Sequence, residues 1–91
     1  MPTVRVEFFG MPRRHAGLAA LDVDVDSLTL GEVLAAAAAR LPEFSNRCLD
    51  GSRLKPGLLA NISGRHFTTD PSTVLMAHDS VLILSSDVGG H

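Results

Sequence analysis

The sequence predicts an α+β roll: a mixed sheet of four to five strands with one main helix packed across one face. Three stretches carry that prediction. Val4, Val6 and Phe8 alternate with Arg5, Glu7 and Phe9, the period-two pattern of a strand. Thr29 to Arg40 opens on a capping signal and places apolar residues at helical spacing. Val81-Leu82-Ile83-Leu84 is a short apolar run of the length of a closing strand.

The remaining elements fit between these anchors. The first strand covers Thr3 to Phe9, and Gly10 ends it. Met11 to Gly17 reads as a loop broken by Pro12 and Gly17. Its Arg13-Arg14-His15 is either a solvated turn or a basic contact for a partner. Leu21, Val23 and Val25 alternate with Asp22, Asp24 and Asp26. That pattern lacks the turn and glycine of a calcium loop, so it reads as an edge strand protected by charge. Thr29 and Glu32 form a capping box for a helix from Leu30 to Arg40 that stops before Pro42. Leu30, Val33, Leu34, Ala37 and Leu41 make its buried stripe.

Pro42 to Gly57 has no clear periodicity and is expected as a loop or one short irregular helix pinned by Phe44 and Leu49. Leu58 to Ser63 is a third strand, and Ser63-Gly64 suits a tight turn. A short strand, Arg65 to Thr68, follows with Phe67 expected to point inward. Asp70-Pro71-Ser72 turns, Leu75 reaches the core, and His78-Asp79 turns again before the strand Ser80 to Leu84.

Composition bounds the function. Ninety-one residues make one domain, with 45% apolar and 20% charged residues. A net charge of -2 gives no argument for binding nucleic acid or anionic membranes. The single cysteine, Cys48, excludes an intramolecular disulfide and suits the cytoplasm. No motif activates Cys48, so a partly buried, inert thiol is expected. His15, His66, His78 and His91 lack the spacing of a metal site, and no bound metal or cofactor is expected. No charged leader followed by an apolar stretch opens the chain, and no apolar run is long enough to span a bilayer.

The chain closes on Ser85-Ser86-Asp87-Val88-Gly89-Gly90-His91. Two residues without Cβ make a slim backbone able to thread a narrow channel. From Ser86 to Gly90 an extended tail reaches roughly 15 Å. The expected division is a domain over 1–84 and a tail over 85–91. Strand parity also leaves Phe9, Leu59, Leu82 and Leu84 on the face opposite the helix. A sheet covered on one side should be polar there, so these four residues are expected to meet a partner.

The element order fits a β-grasp (ubiquitin-like) roll, and particular motifs sharpen the likeness. Phe8-Phe9-Gly10 with Arg13 and Gly17, Thr29-Leu30-Gly31-Glu32-Val33-Leu34, and Asp79-Ser80-Val81 followed by Gly89-Gly90 resemble the MoaD/ThiS family of sulfur carriers. That family comprises the molybdopterin synthase small subunit and the thiamine sulfur carrier. The resemblance covers nearly the whole chain.

It implies a carrier rather than an enzyme. An E1-like adenylyltransferase uses ATP to activate the terminal glycine carboxylate, and sulfur then replaces AMP to give a thiocarboxylate. A synthase subunit takes that sulfur for a cofactor or metabolite, as in molybdopterin or thiamine biosynthesis. Carried to this chain, the resemblance makes Gly90 the attachment point and Gly89 its clearance. His91 departs from the pattern, because it ties the Gly90 carboxyl into a peptide bond; a processing peptidase is implied. His78 stands where the family has glycine, implying a turn with positive φ, and Ser85-Ser86 replaces a proline pair. A ubiquitin-like protein modifier and a non-activated interaction domain are the alternatives.

Overall fold

A computed structural model describes residues 1–86; Gly89, Gly90 and His91 lie outside the described residues. The elements run β1 (Thr3–Phe8), α1 (Met11–Ala16), β2 (Ala20–Asp24), α2 (Leu30–Arg40) and α3 (Pro42–Cys48), followed by β3 (Leu49–Asp50), β4 (Arg53–Leu54), β5 (Leu58–Ile62), β6 (His66–Thr68) and β7 (Ser80–Ser85). Five strands form one sheet in the order β2-β1-β7-β5-β6. The central pair, β1 and β7, is parallel, and every other neighbouring pair is antiparallel. This is the β-grasp arrangement that the order of elements implied.

One face of the sheet makes the core with α2. Val4, Val6 and Phe8 of β1, Ala60 and Ile62 of β5, and Val81 and Ile83 of β7 are buried against Val33, Leu34 and Ala37 of α2. Each large aliphatic side chain so placed contributes about 1.5–3 kcal/mol relative to exposure. β2 is an outer strand with Asp22 and Asp24 exposed, so charges do guard that edge.

The start of α2 is closely fitted. Thr29 Oγ1 accepts the Glu32 N–H at 3.3 Å. The Leu30 and Gly31 N–H groups donate to the carbonyls of Thr73 and Pro71 at 2.9 and 2.8 Å. The helix's first free donors are thereby used by its own cap and by the 71–73 turn. A Cβ on Gly31 would lie 3.0 Å from the Pro71 Cβ and 3.1 Å from its carbonyl oxygen. Glycine at this place in the motif lets the turn lie directly on the helix.

Four expectations need correction. Met11–Ala16 is a short helix, not a loop. Pro12 occupies its first turn, where the ring suits helical φ, and Gly17 ends it in the left-handed region at φ 81°. The residues read as breakers are therefore its first-turn proline and its C-cap glycine. The stretch after α3 forms a small β3–β4 hairpin, a pairing too short to leave a period in the sequence. Leu41 and Leu58 are partly rather than fully buried.

The fourth correction concerns Phe67, which is 58% exposed instead of inward. Ser63 and Gly64 do form a tight turn with positive φ at both, closed by Arg65 N–H to the Ile62 carbonyl at 2.9 Å. A two-residue turn in simple register would put Phe67 opposite Ala60. Instead Ile62 pairs with His66 and Asn61 with Phe67. Arg65 is an extra residue, and a one-residue shift sends each side chain to the other face.

Arg65 also explains where its side chain goes. Asp79 is 3% exposed and forms the hub of a network. Its Oδ1 accepts from Ser63 Oγ and Arg65 Nη2, both at 2.8 Å, and its Oδ2 accepts the Met76 N–H at 2.8 Å. The His78 turn is thus held by Asp79, without the positive φ implied for His78. Ser63 is the one non-glycine residue with positive φ among the described residues.

The Met76 N–H, acting first, holds the Asp79 carboxyl below the usual carboxylate range; burial opposes it, and Ser63 and Arg65 assist. A depressed folded pKa gives stability that is present above the unfolded value of about 3.9 and lost as pH falls through the folded value. Asp79→Asn should therefore flatten the fall of unfolding free energy as pH drops below about 4. Urea titrations across that range test this, and an unchanged acid slope in the variant would remove Asp79 from the account.

Candidate functional site

The register places the residues expected to meet a partner in two rows on the sheet surface away from α2. Phe8 pairs with Ile83, and the Phe9 N–H donates to the Ile83 carbonyl at 3.0 Å. Phe9 therefore stands just past the end of β1, next to Leu84. Leu84 lies directly opposite Leu59. The first row reads Phe9, Leu84, Leu59. In the second, Leu82 lies between Glu7 and Asn61, and Asn61 lies opposite Phe67. Cross-strand neighbours at such positions touch on one face.

Phe9 is 53% exposed, while Leu59, Leu82 and Leu84 are half-buried. The structure brings together all four residues that parity singled out and adds Phe67. Sequence reasoning missed Phe67 because its face depends on the register shift at Arg65. Farther along the sheet the surface turns polar, with Arg5 opposite both Asp22 and Ser80. The apolar part thus lies toward the end of β7 from which the tail continues.

That end has its own features. Ser86 N–H donates to the Gly57 carbonyl at 2.8 Å, fixing the last described residue beside the start of β5. A groove of about 430 Å³ opens there, lined by Arg53, Lys55, Leu58, Leu59, Thr69 and Ser86 among others. Leu59 belongs to both groove and apolar row. Cys48 is buried, and burial pushes its thiol up while the Lys55 charge draws it down. Such a thiol is a poor nucleophile at neutral pH. No helix among the described residues is long and apolar enough to cross a membrane.

No protein-family model matches the chain, and no curated protein matches it in sequence. Solved structures do. The small archaeal modifier protein 1 of Haloferax volcanii is 21% identical with a TM-score of 0.78, the match covering 93% of this chain and 98% of that one. A Pyrococcus furiosus protein described as molybdopterin converting factor, subunit 1, is 15% identical with a TM-score of 0.73, covering 93% and 98%. A chain of the BexX/CysO complex of Amycolatopsis orientalis is 16% identical with a TM-score of 0.68, covering 90% and 93%. These structures share the β-grasp fold. At these identities the likeness shows the fold.

Proposed function

We propose that the chain is a sulfur carrier whose Gly90 carboxyl is activated and converted to a thiocarboxylate after His91 is removed. The observation that carries this reading is the position of the apolar row. Phe9, Leu84 and Leu59 lie at the end of the sheet where β7 hands over to the Gly-Gly tail. A partner docked on that row is placed to receive the tail. The small fold and the carriers and modifiers that share it support the same reading.

The chemistry follows from the carboxylate. A Gly90 oxygen attacks the α-phosphorus of ATP on an adenylating enzyme, and pyrophosphate leaves. A sulfide-class donor then attacks the Gly90 carbonyl carbon, and AMP leaves with the electron pair of the broken C–O bond. The carrier supplies only the carboxyl and its presentation; ATP belongs to the enzyme. A synthase subunit on the receiving side takes the sulfur. Pairing with such an enzyme is in keeping with the partnered BexX/CysO structure.

The test is intact mass. A chain ending at Gly90 is incubated with ATP, sulfide and the adenylating enzyme of its host. Gain of one sulfur for one oxygen is expected. No change under conditions that activate the host's other carriers overturns the reading. A covalent ladder on other proteins would show the modifier reading, which the modifier among the similar structures favours. Self-chains are not expected on that reading either, because Lys55 is the only lysine and its Nζ already donates to the Asn46 carbonyl at 2.7 Å.

Docking on the apolar row makes a second measurable claim. Phe9→Asp should weaken binding to the adenylating enzyme or the synthase subunit by about 10-fold or more, the scale of a central aromatic contact. Folding stability should stay within about 0.5 kcal/mol, as for surface changes generally. Calorimetry or surface binding measures the first and urea unfolding the second; unchanged affinity would remove Phe9 from the interface.

A further inference from the structure

Cations without an ion pair gather around the exit of β7. Among the described residues, the ion pairs within 4 Å use Arg5, Arg47 and Arg65. Arg13, Arg14, Arg53 and Lys55 make none. Arg13 and Arg14 are exposed on α1, which packs against β7 on the β1 side of the exit. Arg53 and Lys55 line the groove on the β5 side, with Ser86 in the same wall. Among the described residues, the remaining arginine without an ion pair, Arg40, donates to the Asp22 carbonyl.

The carboxylates lie mostly elsewhere. Asp24 and Asp26 are exposed at the opposite end of the sheet, where Asp24 pairs with Thr3 at the start of β1. Near the exit stand Asp50, in the groove, and Asp70, which accepts from the Ser72 N–H and Oγ at 2.9 and 2.8 Å. Among the described residues, four cations there face two carboxylates, one of which is already engaged. A chain with a net charge of -2 thus presents a positive end.

We propose that Arg13, Arg14, Arg53 and Lys55 form a cationic collar that seats on carboxylates rimming the tail entrance of the adenylating enzyme. This rests on the carrier reading and names the charge of the surface its partner must offer. The occupant is a protein rather than a nucleic acid, because the collar adjoins the apolar row of Phe9, Leu84 and Leu59 instead of further cations. Apolar contact and charge then have separate roles. The row supplies buried area, and the collar speeds and orients encounter, so that the tail meets the entrance in one orientation.

The experiment compares four chains, each ending at Gly90, with the host's adenylating enzyme over a range of salt. They are the parent chain, R13E/R14E, R53E and the control Asp26→Asn. Steering by clustered charge changes encounter rates by about 10-fold to 1,000-fold. R13E/R14E should raise KM for the carrier about 10-fold at low salt and leave kcat at saturation unchanged, with R53E giving a smaller rise in the same direction. The difference should close near 1 M salt, where the screening length is about 3 Å. Asp26→Asn, at the far end of the sheet, should leave KM within about twofold at about 0.15 M salt, where the screening length is about 8 Å. Circular dichroism melting curves establish that the variants are folded. If the parent chain is activated and its KM does not respond to collar charge or salt, the collar is overturned and the carrier reading stands. If the parent chain is not activated at all, the carrier reading fails and the collar falls with it.

Discussion

A chain ending at Gly90 is expected to be adenylated roughly 100-fold faster than the chain ending at His91, the scale lost when a reacting atom is misplaced by about 1 Å. The reacting group is a free carboxylate. In the 91-residue chain that group belongs to His91, and Gly90 holds only a peptide carbonyl. The nucleophile therefore stands one residue, about 3.3 Å, farther along an extended chain. An imidazole also sits on the residue that must enter the channel, where Gly89 and Gly90 carry no side chain. His91→Gly separates the two effects: it removes the bulk and keeps the displaced carboxyl. Both 91-residue chains should react slowly, and a peptidase that releases one residue should rescue them. Pyrophosphate release with intact mass measures all three. Equal activation with His91 retained would show that the residue is no gate.

What could be read in the sequence divides by how local its cause is. The α2 boundaries were legible because Thr29, Glu32 and Pro42 are local signals, and the structure gives Leu30–Arg40 as expected. The faces of β1, β5 and β7 were legible because period two survives in a single strand, so Phe9, Leu59, Leu82 and Leu84 could be put on one surface before their pairing was known. Phe67 was not legible. Its side depends on Arg65 bulging out of the β5–β6 pairing, and that depends on a carboxylate fourteen residues later, Asp79. The collar was half legible. Arg13-Arg14 stood out as a basic pair, but its meeting with Arg53 and Lys55 at one end of the sheet is a product of the topology. α1 was missed because a proline and a glycine at this spacing read equally well as loop breakers and as a first-turn proline with a C-cap glycine.

Phe44→Ala is expected to cost about 3–5 kcal/mol, the range for removing a buried aromatic ring. Phe44 is fully buried in a stretch that carries no periodic signal. Its ring meets Phe8 edge to face, with centroids 5.0 Å apart and planes at 71°. Such a contact adds about 0.5–1.5 kcal/mol beyond the area it buries. The position matters because α3 packs against both α1 and α2, and Phe44 ties α3 to the end of β1. Against a total stability of about 5–15 kcal/mol for a domain, the loss is large. Phe44→Leu keeps most of the apolar volume and loses the edge contact, so it should cost clearly less. Urea unfolding measures both, with the midpoint falling and the slope constant if the transition stays two-state. A loss below about 1 kcal/mol for Phe44→Ala, the level of an average substitution, would show that α3 is not held through this ring.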